Sequence, residues 1–204
     1  MTRYAVNECF ASPQGEGVRA GTANVFLRLS GCNLRCNGAV EGEALQPICD
    51  TEFESGRTLD LAGVLAYVAE VAGPCRWVIL TGGEPGLQAD RELVDALRGA
   101  GYQVAIETNG TVDVSGLGLD WITVSPKVAE HALKQLTAHE VKYVRGYGQG
   151  IPRTRVKAAH QIVSPAFEPD PAATRRNVAW CVRLVMENPE WRLSVQQHKA
   201  WAVR

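Results

Sequence analysis

NVFLRLSGCNLRC, residues 24–36, begins as an apolar, β-branched run and breaks at Ser30-Gly31 into a polar loop holding two thiols. A short apolar run closed by a turn residue reads as a buried strand, so Cys32 and Cys36 fall just beyond a strand end. The same pattern recurs downstream. TGGEP (81–85) follows WVIL (77–80), ETNG (107–110) closes QVAIE (103–107), and SPK (125–127) follows WITV (121–124). VKYV (141–144), HQIV (160–163) and RLSV (192–195) read as further strands, and helical patterns fill 60–71, 90–98 and 173–188. Alternating strands and helices predict an α/β fold with a parallel sheet, whose ligands gather at the carboxyl ends of the strands. The polar motifs cluster there, which predicts one shared site.

The 204 residues suit a single domain spanning 1–204. Lys and Arg number 21 against 22 Asp and Glu, so no basic field points to nucleic acid or a membrane surface. The sequence has no leader pattern and no apolar run approaching the roughly 20 residues of a membrane span, so a cytoplasmic address is expected. Six cysteines are too sparse for a disulfide scaffold. Cys9, Cys75 and Cys181 stand apart and read as buried free thiols, whereas Cys32, Cys36 and Cys49 share one polar stretch.

Three thiols serve a structural zinc poorly, since such sites take four ligands, commonly in two close pairs, and the next histidine is His131. A four-iron cluster held by three thiolates leaves one iron open. Twelve residues intervene between Cys36 and Cys49. Lengthening a two-residue spacer to that size costs roughly 1.6 kcal/mol, small beside the ~10–16 kcal/mol that thiolate sites gain from metal. A zinc loop or a set of reactive thiols stays open on the residues alone.

Cys-x3-Cys, a spacer, then Ile48 and Cys49 resembles the cluster loop of radical S-adenosylmethionine enzymes, and TGGEP is similar to their methionine-binding motif. NECFASPQGEG (7–17), FLRLSGCNLRC (26–36), CDT (49–51), TGGEP, ETNG, SPK and WRLSVQQHK (191–199) resemble successive blocks of the 7-carboxy-7-deazaguanine synthase family. The long spacer departs from that family's usual Cys-x3-Cys-x2-Cys, and the last residues differ from its commoner endings.

The resemblance implies a shortened, partly open (β/α) barrel of the radical S-adenosylmethionine type. It implies a carbon–nitrogen lyase that converts 6-carboxy-5,6,7,8-tetrahydropterin to 7-carboxy-7-deazaguanine with loss of ammonia, in queuosine and deazapurine biosynthesis. Cys32, Cys36 and Cys49 would hold a [4Fe-4S] cluster, and an electron from a flavodoxin- or ferredoxin-type reductant would cleave S-adenosylmethionine to a 5′-deoxyadenosyl radical. Ile48, Cys49, Asp50, Gly83, Ser125, Pro126, Lys127 and Gln161, Ile162, Val163, Ser164 would contact the cofactor. Pro13, Gln14, Gly15, Glu16, Arg28, Thr81, Glu107, His198 and the terminal carboxylate of Arg204 would contact the pterin. Thr51 would ligate Mg2+, an ion that keeps few protein ligands. A homodimer is implied as well. Arg28, mid-strand between Leu27 and Leu29, needs an anionic partner, with Glu16 or Glu107 expected before substrate arrives. A glycyl-radical-enzyme activase and a non-catalytic zinc-binding module are the rival readings.

Overall fold

The computed structural model describes residues 2–36, 40–41, 44–45, 49 and 51–203. Nine strands form one open sheet, and two more make a small hairpin, β3 (Val40–Glu41) with β4 (Ala44–Leu45). Along the sheet the order is β11 (Trp191–Leu193), β10 (Lys157–Pro165), β9 (Thr137–Arg145), β8 (Trp121–Val124), β7 (Gln103–Thr108), β6 (Trp77–Gly82), β2 (Ala23–Leu29), β1 (Arg3–Pro13) and β5 (Arg57–Asp60). From β2 to β11 every neighbouring pair is parallel, while β1 runs antiparallel to both β2 and β5. With edges at β5 and β11 the sheet does not close. The chain is thus a partial α/β barrel.

Alternation along β2 divides the two faces. Val25, Leu27 and Leu29 are fully buried in the core, and Phe26 and Arg28 point to the opposite, concave face. Helix α1 (Leu61–Ala72) follows β5 and buries Val64, Val68 and Ala72, spaced four apart on one stripe. Its N-terminus is capped by Asp60, which accepts from the Gly63 N–H at 2.8 Å. Asp90 caps α2 (Arg91–Gly99) in the same way through Leu93, and Asp170 caps α3 (Pro171–Glu187), where Pro171 occupies a position whose amide needs no partner.

The predicted strands and helices are found with boundary shifts, most visibly the last strand, which ends at Leu193 instead of Val195. Two features depart from the pattern read in sequence. The eleven-residue β1 mixes polar and apolar residues without turn signals and escaped notice, although its buried Tyr4, Val6 and Cys9 join the core. The crossovers after β8 and β9 contain no α-helix, only a 3-10 turn (Glu130–Ala132) and the loop 146–156. Strict strand–helix alternation therefore fails in the second half of the sheet.

Candidate active site

The strand exits converge as expected. The Gly83 N–H donates to the Leu29 carbonyl and the Glu84 N–H to the Gly31 carbonyl, each at 2.9 Å, so TGGEP is laced onto the start of the cysteine loop. A Cβ at Gly83 would overlap the Gly31 carbonyl, which explains the glycine sterically. The loop's far end returns to the same place, where the Gly31 N–H donates to the Phe53 carbonyl at 2.7 Å. Glu84, fully buried, accepts from the Thr108 hydroxyl at 2.6 Å, the Asn109 N–H at 2.7 Å and the Gly86 N–H at 2.9 Å. Burial raises its pKa against those hydrogen bonds. Asn33 bonds both Thr111 and Asn109, tying the cysteine loop to the β7 exit. Glu84, Asn33, Asn109 and Thr111 were not singled out in sequence; the acid inside TGGEP was the available signal.

Cys32 and Cys36 are partly buried and Cys49 is exposed; of the thiols expected to be buried, Cys9 and Cys181 are, whereas Cys75, just ahead of β6, is only partly so. The Cys49 N–H donates to the Cys36 carbonyl at 3.2 Å. Burial pushes the Cys32 and Cys36 thiols up, and neighbouring thiols add to it, Cys49 at Cys32 and both others at Cys36. The nearby Lys127 ammonium opposes the rise at Cys36. Among the described residues no three Cys, His, Asp or Glu side chains stand posed around a metal ion. The three sulfurs nonetheless lie within electrostatic reach of one another, with the Cys49 thiol donating to the Thr51 carbonyl at 3.6 Å, and three soft donors suit an iron–sulfur cluster with one open corner. Burial also lowers Lys127 to about 8; its Nζ donates to the Ser125 hydroxyl and carbonyl.

Beside this loop lies a cavity of about 520 Å3. Pro13, Gln14, Gly15, Glu16, Arg28, Thr51, Thr81, Glu107 and His198 all line it, joined by Glu8, Phe10, Phe26, Gln196, Lys199 and Val203, which sequence reasoning did not pick out. Arg28 and Thr81 are register partners on β2 and β6, so one strand pair presents both. The expected partner of Arg28 is corrected: its guanidinium pairs with Glu8 at 3.3 Å and lies over the Phe10 ring at 5.4 Å. The β1–β2 register sets Glu8 directly opposite Arg28, whereas Glu107 accepts from the Gln14 amide at 2.8 Å and Glu16 is bound by Lys142.

Lys142, on β9, is the largest omission from the sequence reading. It ion-pairs with Glu16, whose other oxygen accepts from Gln196 at 2.9 Å. Burial alone would raise the Glu16 pKa, but Lys142, helped by the Gln196 hydrogen bond and by His198, outweighs it and holds the carboxyl down to about 2. The chain's last segment is laced to the 15–17 loop. Gly17 N–H donates to the Ser194 hydroxyl at 2.8 Å and Gln197 N–H to the Gly15 carbonyl at 2.9 Å. Helix α4 (Gln197–Trp201) then sets His198 against Gly15, where any Cβ would overlap the imidazole.

Gln161, Ile162, Val163 and Ser164 lie within β10, between β9 and β11. Val163 packs into the core; Ile162 and Ser164 share the register positions of Lys142 and Val144. Ile48, Asp50 and Arg204 lie outside the described residues.

A family model for a 4Fe-4S single cluster domain matches residues 13–138. The 7-carboxy-7-deazaguanine synthases of Bradyrhizobium diazoefficiens and Bacteroides thetaiotaomicron are 39% and 40% identical to this chain, covering 98% of it and 99% and 98% of their own lengths. The chain belongs to the 7-carboxy-7-deazaguanine synthase family. The fold agrees with that membership: the crystal structure of QueE from Escherichia coli superposes with a TM-score of 0.67 at 27% identity, covering 96% of this chain and 95% of that one. As a 7-carboxy-7-deazaguanine synthase relative, the chain has its cluster-domain match ending at the start of β9. Lys142, Gln196 and His198 therefore fall in the part of the fold that the cluster-domain match leaves out. Among the described residues no helix is long and apolar enough to cross a membrane.

Proposed function

We propose that the chain is a radical S-adenosylmethionine lyase that converts 6-carboxy-5,6,7,8-tetrahydropterin to 7-carboxy-7-deazaguanine with loss of ammonia. The observation carrying this reading is the 520 Å3 cavity, where residues drawn from both ends and the middle of the chain meet beside the three-cysteine loop. Cys32, Cys36 and Cys49 would hold a [4Fe-4S] cluster, with the backbone at Gly83 and the Ser125–Lys127 turn beside S-adenosylmethionine. When bound and given one electron by the reductant, that pair would supply a 5′-deoxyadenosyl radical for hydrogen abstraction from the substrate.

The chain's own groups bind and orient. Arg28 exchanges its half-buried Glu8 pairing for the substrate carboxylate, a bidentate partner that matches the guanidinium fork. Gln14 holds Glu107 in place, and that carboxylate accepts N–H bonds from the guanidine-like edge of the pterin. Glu16 is kept ionised by Lys142 and aligned by Gln196, while His198 closes the cavity over Gly15. Thr51 lines the same cavity and would bring Mg2+ to the substrate's oxygens. Residues 1–204 acting as one domain, a flavodoxin- or ferredoxin-type reductant, a homodimer and a cytoplasmic address complete the proposal.

The test is anaerobic reconstitution with iron and sulfide, then incubation with the carboxypterin, S-adenosylmethionine, Mg2+ and dithionite. Brown protein and a deazapurine product in the mass spectrum are expected. Colourless protein with stoichiometric zinc, or a cluster enzyme that never yields the deazapurine, overturns the reading.

A further inference from the structure

The missing helices after β8 and β9 leave a second cavity of about 520 Å3, and it lies behind the sheet. Side chains alternate along β9. Lys142 turns to Glu16 and the first cavity, whereas Tyr143 meets the Trp191 ring edge-on at 5.8 Å within the core, and Arg145, two residues on, stacks over Tyr143 at 4.8 Å. Pro126 lines the rear cavity, and its neighbour Lys127 feels Cys36 and Glu16 on one side and Arg145 on the other.

Arg145 is only 4% exposed. Its Nη1 donates to the adjacent Val144 carbonyl at 2.8 Å, and its Nε is buried with no acceptor. Among the described residues no carboxylate lies within ion-pair distance of it. Glu130, the acid lining the same cavity, is engaged by the Tyr143 hydroxyl and the Arg155 N–H. A buried guanidinium with an orphaned N–H is costly, and such groups normally have a partner. Arg153 and Arg155 stand exposed at the rim and add two more positive charges. The cavity's volume falls in the ~300–1,000 Å3 range of small-molecule sites.

We infer that this rear cavity binds a small anionic molecule of the phosphorylated-metabolite class, its anionic group held by the buried Arg145 with Arg153 and Arg155 at the mouth. Tyr143 and the apolar Pro126 and Val128 would face the rest of the ligand. None of its lining residues lines the first cavity, and Pro126 is the one it shares with the turn proposed beside S-adenosylmethionine.

Titration calorimetry of the full chain with pyrophosphate and with inorganic phosphate, at fixed ionic strength, tests it. Saturable one-to-one binding of pyrophosphate is expected. Affinity should fall at least about tenfold in Arg145→Met, as for loss of a charge-assisted hydrogen bond, and also in the Arg153→Ala/Arg155→Ala variant. The second variant changes only exposed residues and decides the matter should Arg145→Met fail to fold. Saturating S-adenosylmethionine should leave the binding unchanged. No saturable binding up to about 10 mM, unaltered affinity in the variants, or displacement by S-adenosylmethionine overturns the inference.

Discussion

Gly15 shows how much a single hydrogen atom decides in this site. The His198 ring occupies the space a Cβ would need, so Gly15→Ala has to push the imidazole, and with it α4, off the cavity. S-adenosylmethionine cleavage should survive while the substrate KM rises about tenfold or more, the signature of lost binding; an unchanged KM would remove His198 from the proposed pterin contacts. Arg28→Ala makes the complementary case on the opposite wall. With the carboxylate's partner gone, pterin binding should weaken by about 10–100-fold, the range for a charge-assisted pair, with slow abortive cofactor cleavage retained. Equilibrium binding measured beside 5′-deoxyadenosine release separates the two effects. Of these residues, Arg28 was legible in sequence because a charge between two leucines on a strand demands an anion. Its actual partner, Glu8, was not, since that pairing depends on the antiparallel register of β1 against β2.

At the scale of elements, the apolar strand runs and the helical spans were readable because apolar periodicity is a local property. Strand β1 was not, because its pairing is set by β2 and β5 and not by its own pattern. The convergence of TGGEP, ETNG and SPK followed from strand exits alone, whereas the buried Glu84 hub joining two of them required the sheet order β6-β7. Asp90 illustrates how one local signal also carries long-range load. It caps α2 through the Leu93 N–H at 2.8 Å and accepts from the hydroxyl of fully buried Tyr4 at 2.9 Å, fastening β1 to α2. An ordinary cap is worth about 1 kcal/mol, and an orphaned buried hydroxyl adds about 1–3 kcal/mol. Asp90→Ala should therefore lower unfolding free energy by about 2–4 kcal/mol in urea, and Tyr4→Phe/Asp90→Ala should recover part of it. A loss under 1 kcal/mol would show that the Tyr4 link contributes nothing.

Across the whole molecule, an open sheet needs something to hold its first loop to its distant strands, and the Glu16–Lys142 pair spans that gap, 126 positions apart in sequence. Both side chains are largely buried, at 17% and 8% exposure, so removing one partner strands a charge. Lys142→Met should cost about 3–5 kcal/mol, whereas Glu16→Gln/Lys142→Met should restore most of it, because a neutral buried pair needs no counter-ion. The acid limb of the stability profile gives an independent reading. With its folded carboxyl held at about 2, below the ordinary value near 4.3, Glu16 contributes stability that is complete above that ordinary value and lost as pH falls through about 2. Lys142 is shifted upward, so its share persists at all lower pH and disappears only above the normal lysine range. Urea melts from pH 6 to pH 2 should thus show a steeper acid loss in the wild type than in the double variant. Superimposable acid limbs would mean that Glu16 is not held ionised by Lys142, and the first loop would then be tied to the far strands by hydrogen bonds such as Gly17–Ser194, Gln197–Gly15 and Val18–Glu140.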